Sequence, residues 1–298
     1  DFWSKARKHG VKPIIGLGAY LTPGTHRGEK KRVRWGRGND SAEGGDDVSG
    51  GGAYTHMTMW ASSTEGMHNL FRLSSLSSLE GQYYKPRADR ELLEKYATGL
   101  IATTGCPSGA IQTRLRLGQY DEARREAGEL QEIFGRENFF LELMEHDIEI
   151  ERRVRDDLLR LGKELAIPPV ATNDSHYTKP EDAAAQEALL CVNSGSRMSE
   201  PTYAQGGKRF AFEGTGYYIK SAAEMRELWE DRFDLKEACD NTLLIAERCE
   251  VEFTESTGGY MARADIPAGE TEESWFRAEV WNGIRAAPPT TSSRSPGL

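Results

Sequence analysis

The sequence has 298 residues, 38% hydrophobic and 29% charged, with 47 acidic against 38 basic residues and a net charge of −9. This length holds one large domain, or one domain and part of another, and no apolar run approaches the ~20 residues that cross a bilayer. The acidic balance argues against capture of nucleic acid by a global positive field. Four irregularly spaced cysteines without a C-x-x-C pair fit a reduced cytosol, not a disulfide scaffold.

The opening residues, DFWSKARKHG, lack the apolar stretch and cleavage site of a signal peptide. They read as the middle of an amphipathic helix, with the expectation that the chain begins inside a larger protein. KPIIGLGAYL (12–21) and AYTHMTMWA (53–61) are strands by their β-branched and aromatic content. The Gly-rich segment between them, 24–52, is basic first (Arg27, Lys30, Lys31, Arg32, Arg34, Arg37) and acidic later. Its basic half has the chemistry to touch phosphates, but a solvated loop whose charges offset one another is the plainer reading.

GLIATTG (99–105), NFFLELM (138–144) and IPPVATND (167–174) are short and apolar, as strands covered on both faces are. Helices are predicted over 64–76, 89–97, 120–134 and 147–165, the last from Ile148, Ile150, Val154, Leu158, Leu159 and Leu161 recurring among charges. This alternation predicts an α/β fold with a parallel sheet or barrel, whose chemistry sits at the carboxyl ends of the strands. Beyond residue 180 come a helix at 181–193, a Gly-rich loop, the short strand YYIK and a capping box at Ser221–Glu224. A helix over 234–250, a linker and one further helix follow. The last residues, RAAPPTTSSRSPGL, have no periodicity and read as a disordered tail.

Three predicted strand ends carry metal-ligating groups. His56 lies in YTHMTM, Cys106 in ATTGCPSGA, and Asp174 and His176 in ATNDSHYTKP. Residues two apart in a strand share a face, which would project Asp174 and His176 together. Imidazole, thiolate and carboxylate suit zinc or a borderline transition metal, and clusters of such ions cleave phosphate esters. Against this stand ordinary fates: a lone strand histidine is more often a core residue, and a free cysteine a small buried hydrophobe. His9, His26, His68 and His146 are assigned no role, although His146 also follows a strand.

THMTMWASSTEGMHNLFRLSSLSSLEG, ATTGCPSGAIQTRLRLGQ, FFLELMEHDIEIERRVRDDLL, IPPVATNDSHYTKPEDAAAQEALLCV and GTGYYIKSAAEMREL carry a resemblance. In that order they resemble the PHP (polymerase and histidinol phosphatase) domain of bacterial DNA polymerase III alpha subunits, closest to the actinobacterial type. The resemblance runs over roughly 1–285. It implies a PHP-type distorted (β/α) barrel, incomplete at its amino-terminal strands and cut off at both ends. It divides the chain into a PHP domain over 1–253, a linker and the start of a polymerase palm over 254–284, and an aberrant tail over 285–298, as after a frame change or early stop.

The family's centre takes about nine ligands around three ions, and the resemblance places His56, Cys106, Asp174 and His176 at ligand positions. The family's His-x-His and Asp-His-Gly motifs would lie upstream of Asp1, and a bridging glutamate falls where this chain has Gly18. The resemblance implies zinc or manganese in this centre and magnesium at palm aspartates that the chain does not contain. It implies DNA, deoxynucleotides, a sliding clamp and a proofreading exonuclease as partners of the parent polymerase, in the cytoplasm and away from membranes. For the chain itself it leaves three roles: a piece of a DNA-directed DNA polymerase unable to polymerise alone, a metal-dependent phosphoesterase or 3′–5′ exonuclease, and a non-catalytic scaffold. A free-standing histidinol phosphatase is the weaker alternative.

Overall fold

Two antiparallel strands, β1 (Gly16–Leu21) and β2 (Thr55–Ala61), form the middle of the sheet, with Gly18 opposite Thr58 and Tyr20 opposite His56. The computed structural model describes residues 1–36, 48–254, 262 and 264–286. They fall into two units, Asp1–Phe253 and Thr254–Leu298.

In the first unit α1 (Phe2–Lys8) precedes β1, and the short α2 (Ser49–Gly52) precedes β2. Then come α3 (Thr64–Glu80), the hairpin β3 (Gln82–Tyr83) and β4 (Lys85–Ala88), α4 (Arg90–Tyr96) and β5 (Leu100–Thr103). Next are α5 (Ala110–Arg116), α6 (Tyr120–Phe134), β6 (Phe139–Leu143), α7 (Glu149–Leu165) and β7 (Pro169–Ala171). The unit closes with α8 (Ala183–Ser194), α9 (Ala222–Arg226), which runs on as a π turn over Glu227–Asp231, and α10 (Lys236–Arg248). The described part of the second unit holds α11 (Glu272–Ala286).

The strand order is β3-β4-β1-β2-β5-β6-β7. β5, β6 and β7 are parallel neighbours, as the predicted alternation requires, because α5–α6 and α7 supply the crossovers. The other half departs from the parallel expectation. β2 runs antiparallel to both β1 and β5, and β3 to β4. The fold is mixed α/β, consistent with a distorted (β/α) barrel that hydrogen bonds do not close.

One face of the sheet presents Ala19, Met57, Met59, Ala61, Leu100, Ala102, Phe139 and Leu141 to the helices. Leu70 and Leu73 of α3, Leu92 of α4, Leu130 of α6 and Leu158 and Leu161 of α7 cover it. On the opposite face Ile101, Phe140 and Val170 pack against Ile245 of α10 and Cys249 just after it. The remainder of that opposite face is polar, and it is where the candidate site lies.

Local signals behave as read. Ser63 caps α3 by accepting from the Gly66 amide, Asp89 caps α4, and Ser221 and Glu224 form the expected box at α9. Gly66 is sterically obligatory, since a Cβ there would lie 1.9 Å from the Gly99 carbonyl oxygen. Three expectations need correction. YYIK makes a single bridge, Tyr177 to Tyr218, not a strand, because loop backbone lies beside it. Residues 285 and 286 belong to α11 and not to a disordered tail. β7 ends at Ala171, so Asp174 and His176 sit in a loop and the two-residue strand period does not set their directions. Arg37 and residues 287–298 lie outside the described residues.

The basic loop half folds back on acidic partners and an aromatic ring. Arg27 pairs with Glu80, Asp89 and Glu91, Lys31 pairs with Glu29, and Arg32 lies over the Tyr84 ring. Arg87, fully buried, ties this segment down. Its guanidinium donates to the carbonyls of Gly81 (3.1 Å), Ala53 (3.0 Å), Arg27 (3.1 Å) and Glu29 (2.9 Å). Arg87→Ala is expected to orphan these acceptors and lower stability by on the order of 3 kcal/mol. Urea denaturation measures the loss, and an unchanged midpoint would contradict the assignment.

Candidate metal centre

The antiparallel course of β2 decides which residues meet. His56 stands at the amino end of β2, which lies beside the carboxyl ends of β1 and β5. The expectation of carboxyl ends throughout is therefore corrected for His56, which reaches the same rim from a strand running the other way. Gly105, at φ +82°, brings the loop after β5 against β2, where a Cβ would lie 2.4 Å from the His56 carbonyl oxygen. Ser108 accepts the His56 amide at 3.1 Å, and Gln112 of α5 holds the loop through Thr104 Oγ1 (2.9 Å) and the Gly105 carbonyl (2.6 Å).

Two pairs result. His56 Nδ1 lies 3.4 Å from Cys106 Sγ. His176 Nδ1 lies 3.9 Å from Asp174 Oδ2 and 2.5 Å from the Asp174 carbonyl oxygen. The charge of Asp174 acts on His56, on Cys106 and on Glu142, so the pairs belong to one electrostatic neighbourhood. Among the described residues, however, the three metal-type side chains whose ligand atoms lie within 4.8 Å of one another are His26, Asp89 and Glu91. Arg27 Nη1 stands 3.1 Å from both carboxylates of that trio, which makes it an ion-pair cluster with its charge already met.

Burial sets the protonation of the first pair. Desolvation lowers His56, partly offset by Asp174, which leaves a neutral ring with a free lone pair. Desolvation pushes the Cys106 thiol up to about 12, and Asp174 and Glu142 add to the shift. Cys106 is a thiol at neutral pH until a cation arrives.

Asp174 occupies the left-handed region at φ +43°, which Asp tolerates better than most residues. Asn173 holds the loop in place. Its side-chain amide donates to the carbonyls of Gly216 (2.9 Å) and Tyr218 (2.7 Å), and its Oδ1 accepts from Lys220 Nζ at 2.7 Å. Its own carbonyl oxygen lies 3.0 Å from His146 Nε2. His146, assigned no role from sequence, is buried, 2.7 Å from Glu151 Oε1 and stacked on Tyr217 with centroids 4.0 Å apart.

Sequence reasoning missed Glu142. It is buried on the polar part of the sheet, where the hydroxyls of Thr103 and Thr172 (2.9 Å) donate to it and Thr58 adds to them. Burial raises its pKa above 4.5, the threonines oppose the rise, and Asp174 adds to it. The available signal was a lone acid within the apolar run FFLEL. Gly18 faces the same space. A Cβ there would lie 3.3 Å from His56 Nε2, so any side chain at 18 points at the imidazole.

Residues 1–146 match the PHP domain family. The chain is 54% identical over 285 residues to the DNA polymerase III subunit alpha of Saccharopolyspora erythraea, covering 94% of this chain and 23% of that protein. It is 50% identical over 295 residues to the Mycobacterium tuberculosis protein of the same name, covering 97% and 24%. Against the Thermus aquaticus protein it is 35% identical over 288 residues, covering 95% and 22%. The chain carries the PHP domain of the DNA polymerase III alpha family. It spans about a quarter of the length of these relatives. PHP domains bind divalent metals as a class, and among the described residues no helix of this one is long and apolar enough to cross a membrane.

Because the folded-state pKa of Glu142 is raised, the stability it contributes is complete below its ordinary value of 4.5 and is lost as pH rises through the raised value. Glu142→Gln cannot ionise. It is expected to be more stable than the wild type at about pH 8 and to lose that advantage near about pH 4. Thermal denaturation across that range checks the sign, and a constant difference would overturn it.

Proposed function

We propose that this chain is the PHP portion of a bacterial replicative DNA polymerase, whose full-length form adds deoxynucleotides to DNA in the cytoplasm. Identity of 50–54% across 94–97% of the chain, to relatives carrying the DNA polymerase III alpha name, supports this reading. The division into a PHP domain over 1–253, a linker and opening palm over 254–284 and a tail beyond belongs to the same proposal. So do the sliding clamp and the proofreading exonuclease as partners, and magnesium at palm aspartates outside this chain.

Within the domain we assign His56, Cys106, Asp174 and His176 as the donors for a divalent cation. A neutral imidazole, an ionisable thiol, a carboxylate and a second imidazole match zinc, with manganese the alternative. The four stand as two pairs, and no three of them bring ligand atoms within 4.8 Å of one another among the described residues, so one ion shared by all four requires their side chains to move together. A bound cation lowers the pKa of a coordinated water and offsets charge on phosphate oxygens, the chemistry of phosphodiester cleavage. The chain's own residues prepare for it. Burial favours the unprotonated His56 ring, Asn173 and His146 fix the backbone that carries Asp174, and burial pushes the nearby Glu142 toward its uncharged form.

A scaffold role is the second reading, and Gly18 favours it. The position aimed at His56 Nε2 offers no donor. Purified protein is expected to hold one divalent ion or fewer per chain by mass spectrometric metal analysis, and Asp174→Asn to reduce it further. Gly18→Glu, which adds a carboxylate on that vector, is expected to raise metal retention several-fold. Equal metal content in all three would remove these residues from the centre. Manganese-dependent 3′–5′ exonuclease activity abolished by Asp174→Asn would favour the catalytic reading over the scaffold. Primer extension by the 298-residue chain is expected to be nil, and template-dependent incorporation would refute that.

A further inference from the structure

The loop after α8 places aromatic rings in a continuous line from the surface to the Asp174–His176 loop. The Phe212 ring centroid lies 4.4 Å from the His176 ring and 4.5 Å from the Tyr217 ring, tilted by 52° and 43°. Phe210 continues the line, 5.3 Å from Phe212 at 73°, and is 51% exposed. Its exposure is not that of a slack loop. Arg209, its neighbour, is buried, with Nε donating to the Glu200 carbonyl at 2.9 Å and Nη1 to Glu187 at 2.7 Å. The Arg209 backbone is fixed as well, its carbonyl accepting from the Tyr203 amide at 2.9 Å. The open ring of Phe210 is therefore held out on a pinned backbone, where water contact is unfavourable for it.

We propose that Phe210 and Phe212 form a stacking step for the terminal nucleobase of a single-stranded nucleic acid whose end is presented to the Asp174–His176 loop. The proposal rests on the reading of that loop as a centre that faces phosphodiesters. A strand that brings its last phosphate to His176 places the adjoining base within a ring's reach, and the ring centroid nearest His176 in this line is Phe212. The chain carries a net charge of −9, so capture cannot rely on a general positive field. Stacking on aromatic faces supplies base affinity without such a field and tolerates any base. Within the line the rings meet at tilted and edge-on angles, so Phe210 and Phe212 are not stacked face to face on each other, and Phe210 is the exposed member.

The test is binding of a short single-stranded oligonucleotide with 2-aminopurine at its 3′ end, followed by fluorescence quenching on the 298-residue chain. Phe210→Ala is expected to weaken binding by about 5- to 100-fold and to abolish quenching. Phe210→Trp is expected to restore both. An oligonucleotide with an abasic 3′ residue should bind the wild type as weakly as the intact one binds Phe210→Ala. Circular dichroism melts establish that the variants are folded. Equal affinity for wild type and Phe210→Ala, indifference to the missing base, or no binding by the wild type at millimolar protein each overturns the proposal. Metal analysis of the same preparations separates it from the reading beneath it. Metal retained without a Phe210 effect sinks the stacking step alone, whereas base-dependent binding to a protein that takes no metal sinks the centre and leaves the stacking step standing.

Discussion

Everything placed at the site depends on the side-chain alternation of β2 within a sheet whose two faces meet different surroundings. Met57, Met59 and Ala61 lie in the helix-covered core, which commits His56, Thr58 and Trp60 to the other face. A slip of one residue would exchange the two sets and bury an imidazole among the leucines and Phe139 of the helix-covered core. The apolar face thus fixes the register, and the register fixes the chemistry. Because β2 is antiparallel to β1 and β5, its first residues share a rim with Cys106 and with the loop after β7.

The polar end of that second face is an electrostatic compromise. A carboxyl, a thiol and an imidazole are withdrawn from water together, and desolvation pushes each toward its uncharged form. Asp174, more exposed and in a loop, acts on all three. The same withdrawal that neutralises these donors also lowers the dielectric in which a cation would meet them.

Much of this was legible in the sequence. The strands at 16–21, 55–61, 100–103, 139–143 and 169–171, and the helices between them, fall inside or close to the predicted runs, because period and apolar content mark them. The hairpin at 82–88 and α5 escaped notice, being too short to show a period. Strand direction escaped too, since pairing is a property of partners distant in the chain. Of the site, His56 and Cys106 stand 3.4 Å apart as neighbours, whereas Asp174 and His176 associate through loop backbone at a left-handed residue, which no alternation rule describes. Glu142, Asn173 and His146 act by burial and by hydrogen bonds across the fold, and only the acid in an apolar run left a trace.

Gly18 separates architecture from reactivity. Its backbone is ordinary extended strand, its neighbours in β1 and β2 pair around it, and no packing requirement of the frame asks for a bare Cα there. A Cβ at that spot would meet the His56 ring at 3.3 Å and no backbone atom, so a side chain there asks the imidazole to shift slightly and not a strand. Scaffold and reagent are thus independent here: the vessel can be emptied or refilled while its walls stand unaltered.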